Sequence, residues 1–130
     1  MMMAIVAVAA LTVPASQVTV VDGDTVKVGK QLYRMLGIDA PELHGCPKRR
    51  RCVKGDPGAS KLSLERMIHG RVTFVMGGQD RYGRRLAHLY VGGRNLACRQ
   101  IKLGRAVYVR RWDDDLRLAK ECPVARAQLF

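Results

Sequence analysis

The run Leu32-Tyr33-Arg34-Met35-Leu36 sets a guanidinium among apolar and aromatic side chains. In an extended strand Arg34 shares a face with Leu32, Leu36 and Ile38, while Tyr33 and Met35 take the other. Both faces are largely apolar, so the charge needs carboxylates or a ligand anion beside it. Three carboxylates stand close by in sequence: Asp24 at a turn two strands earlier, and Asp39 and Glu42 just past the strand end. A three-stranded meander can bring those strand ends together. Crowding carboxylates is costly unless a cation joins them, and hard oxygen donors without histidine or thiolate suit Ca²⁺ or Mg²⁺. The plainer alternatives are a structural salt bridge at Arg34 and ordinary turn chemistry at Asp22, Asp24 and Asp39-Ala40-Pro41.

A second cationic group lies in Asp80-Arg81-Tyr82-Gly83-Arg84-Arg85. Arginine suits two-point contact with phosphate, and the neighbouring tyrosine offers a face on which a base or sugar can pack. Taken alone, the same run would serve as a solvated loop.

The elements that must position these groups are short, because glycines and prolines interrupt the chain throughout. Val18 and Val20, then Val26 and Val28, mark two strands around Asp22-Gly23-Asp24, where Gly23 can take the positive φ of a tight turn. A third strand is expected over Leu32 to Ile38, followed by an irregular basic loop from His44 to Gly55. Asp56-Pro57 reads as an N-cap and first-turn proline, opening a helix that Gly70 stops. Val72 to Met76 and Leu86 to Val91 make two further strands around a glycine-rich loop, Gly77 to Gly83. A helix from about Asn95 to Leu103 ends at Gly104. A last helix is expected near Asp113-Asp114-Asp115, whose charge suits a helix start, and Pro123 should kink or end it. Three strands, a helix, two strands and two helices is the layout of an α+β, mostly β fold: a five-stranded OB-fold barrel with three helices.

The 130 residues leave room for one domain with one core. Lys and Arg number 23 against 11 Asp and Glu, a formal charge of +12, which favours a polyanionic partner. Such a surplus equally suits a solvated basic surface. Met1 to Val13 is uncharged and mostly apolar, then Pro14-Ala15-Ser16-Gln17 follows, so residues 1–16 are read as an export signal and 17–130 as the domain. A buried first strand is the alternative, and the run is too short to span a bilayer. Cys46, Cys52, Cys98 and Cys122 include no C-x-x-C pair, against a zinc site. Cys46–Cys52 could close the basic loop and Cys98–Cys122 make a longer bridge, as fits a secreted or periplasmic protein. Four reduced thiols are the other possibility.

Val21-Asp22-Gly23-Asp24-Thr25-Val26, Arg34-Met35-Leu36-Gly37-Ile38-Asp39-Ala40-Pro41-Glu42 and Asp80-Arg81-Tyr82-Gly83-Arg84 together resemble, in order, three signature segments of the staphylococcal nuclease family. The resemblance runs from about Gln17 to the C-terminus and implies an OB barrel with three helices. It also implies a monomeric, Ca²⁺-dependent, sugar-nonspecific nuclease that cuts DNA and RNA to leave 3′-phosphate ends. A basic membrane-surface protein is a further reading, but the sequence lacks a basic amphipathic helix with a broad apolar face, so no stable membrane association is expected. Asp24 and Asp39 would ligate Ca²⁺ through carboxylates and Ala40 through its backbone carbonyl. Arg34 and Arg84 would grip the scissile phosphate. Glu42 would act as general base on the attacking water or orient it, and Arg81 and Tyr82 would contact a neighbouring phosphate or nucleotide. The basic, cysteine-bearing stretch Leu43 to Gly55 departs from the best-known secreted member, and Pro123 interrupts the family's usual last helix. A noncatalytic OB module that holds nucleic acid by charge and stacking is the rival reading.

Overall fold

The computed structural model describes residues 9–48 and 50–129. Its first strand, β1 (Ala10–Pro14), bends through one 3-10 turn at Ala15–Gln17 into β2 (Val18–Asp22). The alternating valines then pair β2 with β3 (Thr25–Val28), Val20 opposite Val26, and β4 (Gln31–Met35) completes the meander. The strand expected to run on to Ile38 breaks at Leu36-Gly37. Gly37 turns this corner at φ +82°, and a Cβ there would lie 2.7 Å from Leu118 Cδ2, so the site admits only glycine. The break swings the short β5 (Ile38–Asp39) off the main sheet.

The helix α1 (Pro57–Met67) begins as expected, with the Asp56 carboxylate accepting from Ala59 N. The chain continues through β6 (Arg71–Gln79), β7 (Arg85–Val91), β8 (Arg94–Asn95), α2 (Leu96–Lys102) and β9 (Val107–Tyr108). It closes with α3 (Arg117–Glu121) and α4 (Pro123–Arg126), two pieces divided at Pro123 because proline cannot donate within a helix.

Six strands form the path β1-β6-β7-β4-β3-β2, with β8 added on β7 and with β4 and β7 parallel. The two outer strands of this path, β1 and β2, are joined by three residues only, so the sheet must curl until its edges approach. The result is the expected α+β class, a curled half-barrel of OB type. The five strands read from sequence are β2, β3, β4, β6 and β7; β1, β8 and the separate β5–β9 pair are additions, and the α-helices among the described residues number four rather than three.

Two local expectations are corrected and a third is refined. The glycine-rich run is not all loop: β6 continues through Gly77 and Gly78 to Gln79 across a bulge. Gly23 takes no positive φ; a Cβ there would sit 1.8 Å from Ser60 Oγ, so glycine is required for the close approach of this turn to α1. The last helices do start near the acidic run, but α3 opens only at Arg117, after a 3-10 turn over Asp114–Leu116 in which Asp115 and Leu116 pass through the left-handed region. Asp113 caps α3 from a distance, accepting from Leu118 N at 2.9 Å and Ala119 N at 3.0 Å.

Val26, Met35, Leu64, Phe74, Leu89, Leu96 and Leu118 fill the core. Both cysteine pairs are bonded: Cys46–Cys52 closes the basic loop, and Cys98–Cys122 ties α2 to the end of α3. Of the stretch read as an export signal, residues 1–8 lie outside the described residues, while Ala10–Pro14 pairs along the edge of β6 with Val13 buried. No described helix is long and apolar enough to cross a membrane.

Candidate active site

Arg34 faces away from the core residues Tyr33 and Met35 and is nevertheless only 7% exposed. Its Nη1 donates to the carbonyls of Met35 (3.3 Å) and Ile38 (2.9 Å), the two sides of the Gly37 corner. Its Nη2 lies 3.4 Å from Asp24 Oδ2 and 3.3 Å from Asp39 Oδ1. The Trp112 ring covers one face of the guanidinium, with Cζ 4.6 Å from the ring centroid. The strand break that ends β4 therefore also supplies the acceptors that orient Arg34. Asp24 is held in turn by donors from Thr25 Oγ1 and from Ala40 N at 2.9 Å. Burial alone would push the Asp24 carboxyl up, but the neighbouring Asp22 hydrogen bond, Arg34 and the Ala40 N–H outweigh it and keep it below its ordinary value.

Glu42 is half-buried and makes its contact through a residue the sequence reading passed over. Arg50, in the loop closed by Cys46–Cys52, donates to Glu42 Oε1 at 2.7 Å and to both Asp39 oxygens at 3.0 and 3.2 Å. Nothing in its basic surroundings distinguishes Arg50; only the spacing of the two cysteines on either side hinted that this loop is held in place. Asp39, buried, has its carboxyl pushed up by that burial, against the pull of Arg50 and Arg34.

Arg84, the residue just ahead of β7, reaches the same place. The parallel pairing sets Leu86 opposite Arg34, so Arg84, two residues earlier, lies on the same face of the sheet. Asp80 fixes it, accepting from Arg84 Nε at 2.7 Å and from Arg84 N at 3.0 Å. These bonds hold the Asp80 carboxyl below its ordinary range against a burial cost. Tyr82 projects at 74% exposure, with Arg81 and Arg84 near its ring. A cleft of about 570 Å³ is lined by Arg34, Arg50, Arg81, Tyr82, Arg84 and Trp112, among others.

The structure thus brings Asp24, Arg34, Asp39 and Ala40 into one cluster. Arg34, Arg81, Tyr82 and Arg84 share one cleft, and Glu42 joins the group only through Arg50. Tyr108 pairs opposite Ile38 through the β5–β9 ladder and donates from its hydroxyl to Asp113 at 2.7 Å.

The donors at this corner are the carboxylates of Asp22, Asp24 and Asp39, all hard oxygen. Burial, and then the adjacent Asp24 carboxylate, pushes the Asp22 carboxyl up to about 7. Two guanidinium groups, Arg34 and Arg50, stand against the carboxylates of Asp22, Asp24, Asp39 and Glu42, and a hard cation would relieve that crowding. As the side chains stand, no three such groups among the described residues are close enough to hold a metal ion; Arg34 and Arg50 occupy the carboxylate oxygens instead. The donor chemistry fits Ca²⁺. Arg50, with 39% of its side chain exposed against 9% for Arg34, is the guanidinium free to give way.

The family model described as staphylococcal nuclease homologue matches residues 33–128. The chain belongs to this family. Arg34, Asp39, Ala40, Glu42, Arg81, Tyr82 and Arg84 fall within the matched region, and Asp24 precedes it. Members are in general nucleases acting on nucleic acids, which gives this chain a nuclease-like or nucleic-acid-binding function. A search of curated proteins finds no match to the chain.

Proposed function

We propose that the chain is a Ca²⁺-dependent nuclease that hydrolyses phosphodiester bonds of DNA and RNA without selecting the sugar, leaving 3′-phosphate ends. The observation that carries this reading is the convergence of Arg34 and Arg84, each oriented by its own carboxylates, on one cleft. Asp24 and Asp39, with the Ala40 carbonyl, would hold Ca²⁺. When bound, the ion supplies Lewis-acid polarisation of the phosphate and neutralises charge.

The protein's own groups have separate tasks. Asp80 engages Arg84 through Nε, which leaves the donors on the terminal nitrogens of Arg84 for a phosphate. Arg34 is fixed by two carbonyls and two carboxylates, and so presents charge without reorganising. Both stabilise the charge that gathers on the phosphoryl oxygens. Glu42 accepts the proton of the attacking water, or orients it, as the 5′ oxygen leaves. Arg50 holds Glu42 beside Asp39 by donating to both. Tyr82 offers its exposed ring to a flanking base.

A second reading, a noncatalytic nucleic-acid-binding module, draws on one observation: the carboxylates are paired with guanidinium groups rather than gathered as a ligand set. Incubation of the protein with plasmid and with RNA, with Ca²⁺ and with excess EDTA, separates the two. Cleavage only with Ca²⁺ is expected; intact polymers with Ca²⁺ present would leave the binding module.

A further inference from the structure

A second basic hollow, of about 410 Å³, lies where α1 and α2 meet the end of β7. Arg66, Arg94, Arg99 and Arg105 line it, and no Asp or Glu does. None of these four makes an ion pair among the described residues; Glu65, the acidic residue on α1, is engaged by Lys61. Arg66 and Arg99 stand in the last turns of α1 and α2, where the helix dipoles partly offset their charge. Arg94 in β8 and Arg105 after Gly104 have no such offset. The Arg105 backbone is nonetheless anchored at both ends, its N–H donating to Gln100 O at 2.8 Å and its carbonyl accepting from Ser60 Oγ at 2.7 Å. Leu62 and Leu103 also line the hollow at 45% and 55% exposure.

Like charges around a concavity repel one another, and an anion entering it relieves that repulsion. Guanidinium forks match phosphate oxygens, and the exposed leucines give a sugar or base an apolar surface. The position is equally informative. Leu86 at one end of β7 lines the cleft and Val91 at the other end lines the hollow. At about 3.4 Å per residue they are about 17 Å apart along the strand, and an odd number of steps sets them on opposite faces of the sheet. A polynucleotide joining them must round the sheet, and so needs more than the roughly five nucleotides that this distance holds at the stacked spacing of one strand.

We propose that this hollow is a second phosphate-backbone site, which grips a single-stranded polynucleotide beyond the cleft and admits only strands long enough to reach it. The site stands on its own geometry, whether or not the cleft cuts.

The test is binding in EDTA, read by fluorescence anisotropy, of labelled oligothymidylates of about four and about 20 nucleotides over about 50 to 200 mM salt. Arg94→Gln/Arg105→Gln, both at exposed positions, is expected to weaken the long strand and leave the short one unchanged. The slope of log K against log salt for the long strand should fall by about 1.4, at about 0.7 per lost contact. Arg94→Lys/Arg105→Lys should keep the wild-type slope, and this guards against an unfolded glutamine variant. Wild-type affinity and slope for the long strand in the glutamine variant would overturn the proposal. So would equal losses for both lengths, or, in parallel titrations with polyglutamate and with anionic phospholipid vesicles, a loss found there and not with the long strand, which would assign the hollow to an acidic peptide or a lipid surface.

Discussion

Arginine is used in two opposite ways on this molecule. In the cleft, Arg34, Arg50 and Arg84 each meet a carboxylate within 3.4 Å. In the hollow between α1 and α2, no arginine meets any among the described residues. Pairing costs a cation most of its long-range field but fixes where its remaining donors point, which is what stabilising a transition state requires. An unpaired arginine keeps its field and its freedom, which suits sequence-independent attraction of a phosphate backbone. The one region is built for precise placement and the other for capture. Substitutions should therefore fail in different ways: turnover in the cleft, strand affinity in the hollow.

The largest expected effect is at Arg34. Arg34→Ala leaves Asp24 and Asp39 buried without the cation between them, and breaking such a pair costs about 3–5 kcal/mol. Thermal unfolding should show that loss, and cleavage should vanish with it. Glu42→Gln and Arg84→Ala sharpen the contrast, because both residues are partly exposed and their loss should spare the fold. Glu42→Gln is expected to lower kcat by roughly 10²–10⁴-fold and Arg84→Ala by roughly 10²–10³-fold, with an unchanged melting midpoint. Steady-state cleavage of a dinucleotide beside a melting curve checks both. A comparable kcat loss on that dinucleotide from the hollow's arginines would erase the distinction between the regions.

Arg50→Ala is a smaller change of opposite sign. Its guanidinium lies within 3.2 Å of both Asp39 oxygens, so removing it should tighten Ca²⁺ binding by about fivefold, the scale of a partly exposed charge pair. Isothermal calorimetry without nucleic acid measures this. Unchanged or weaker affinity would show that Arg50 does not compete with the ion.

How far the sequence foretold this molecule depended on the range of the interaction. Arg34 on an apolar strand demands carboxylates, and Asp24 and Asp39 were near enough in the chain to name; that logic is local. The valine alternation of β2 and β3 and the Asp56-Pro57 helix start were legible for the same reason. The break at Gly37 was not, because its cause is Leu118, 81 residues away and packed against the glycine's missing side chain. Gly23 was read as a turn glycine, whereas its constraint comes from Ser60 on α1. Arg50 sat among equivalent neighbours, and only the folded loop selects it. The hollow escaped notice because its arginines come from α1, β8, α2 and the turn beyond, and no spacing in the chain links them.

The smallest effect concerns the strand that joins the two regions. His88 lies on β7 between Leu86 and Val91, 1% exposed, and neither ring nitrogen has a partner among the described residues. Burial first, and then Arg117, hold its pKa below the ordinary 6.5; Asp113, Glu121 and Asp114 pull the other way without prevailing. The folded state thus keeps His88 neutral, while the unfolded chain takes up a proton as pH falls through 6.5. In that window the unfolded state binds more protons, so stability falls with falling pH until the folded-state pKa is reached, and is flat above 6.5. His88→Leu removes the titrating group and two unpaired nitrogens at once, so the variant should be at least as stable as the wild type at neutral pH. Its melting midpoint should then drop less between about pH 7.5 and about pH 5 than that of the wild type. An equal drop in both proteins would place the acid sensitivity in the carboxylates of the cleft rather than in the strand behind it.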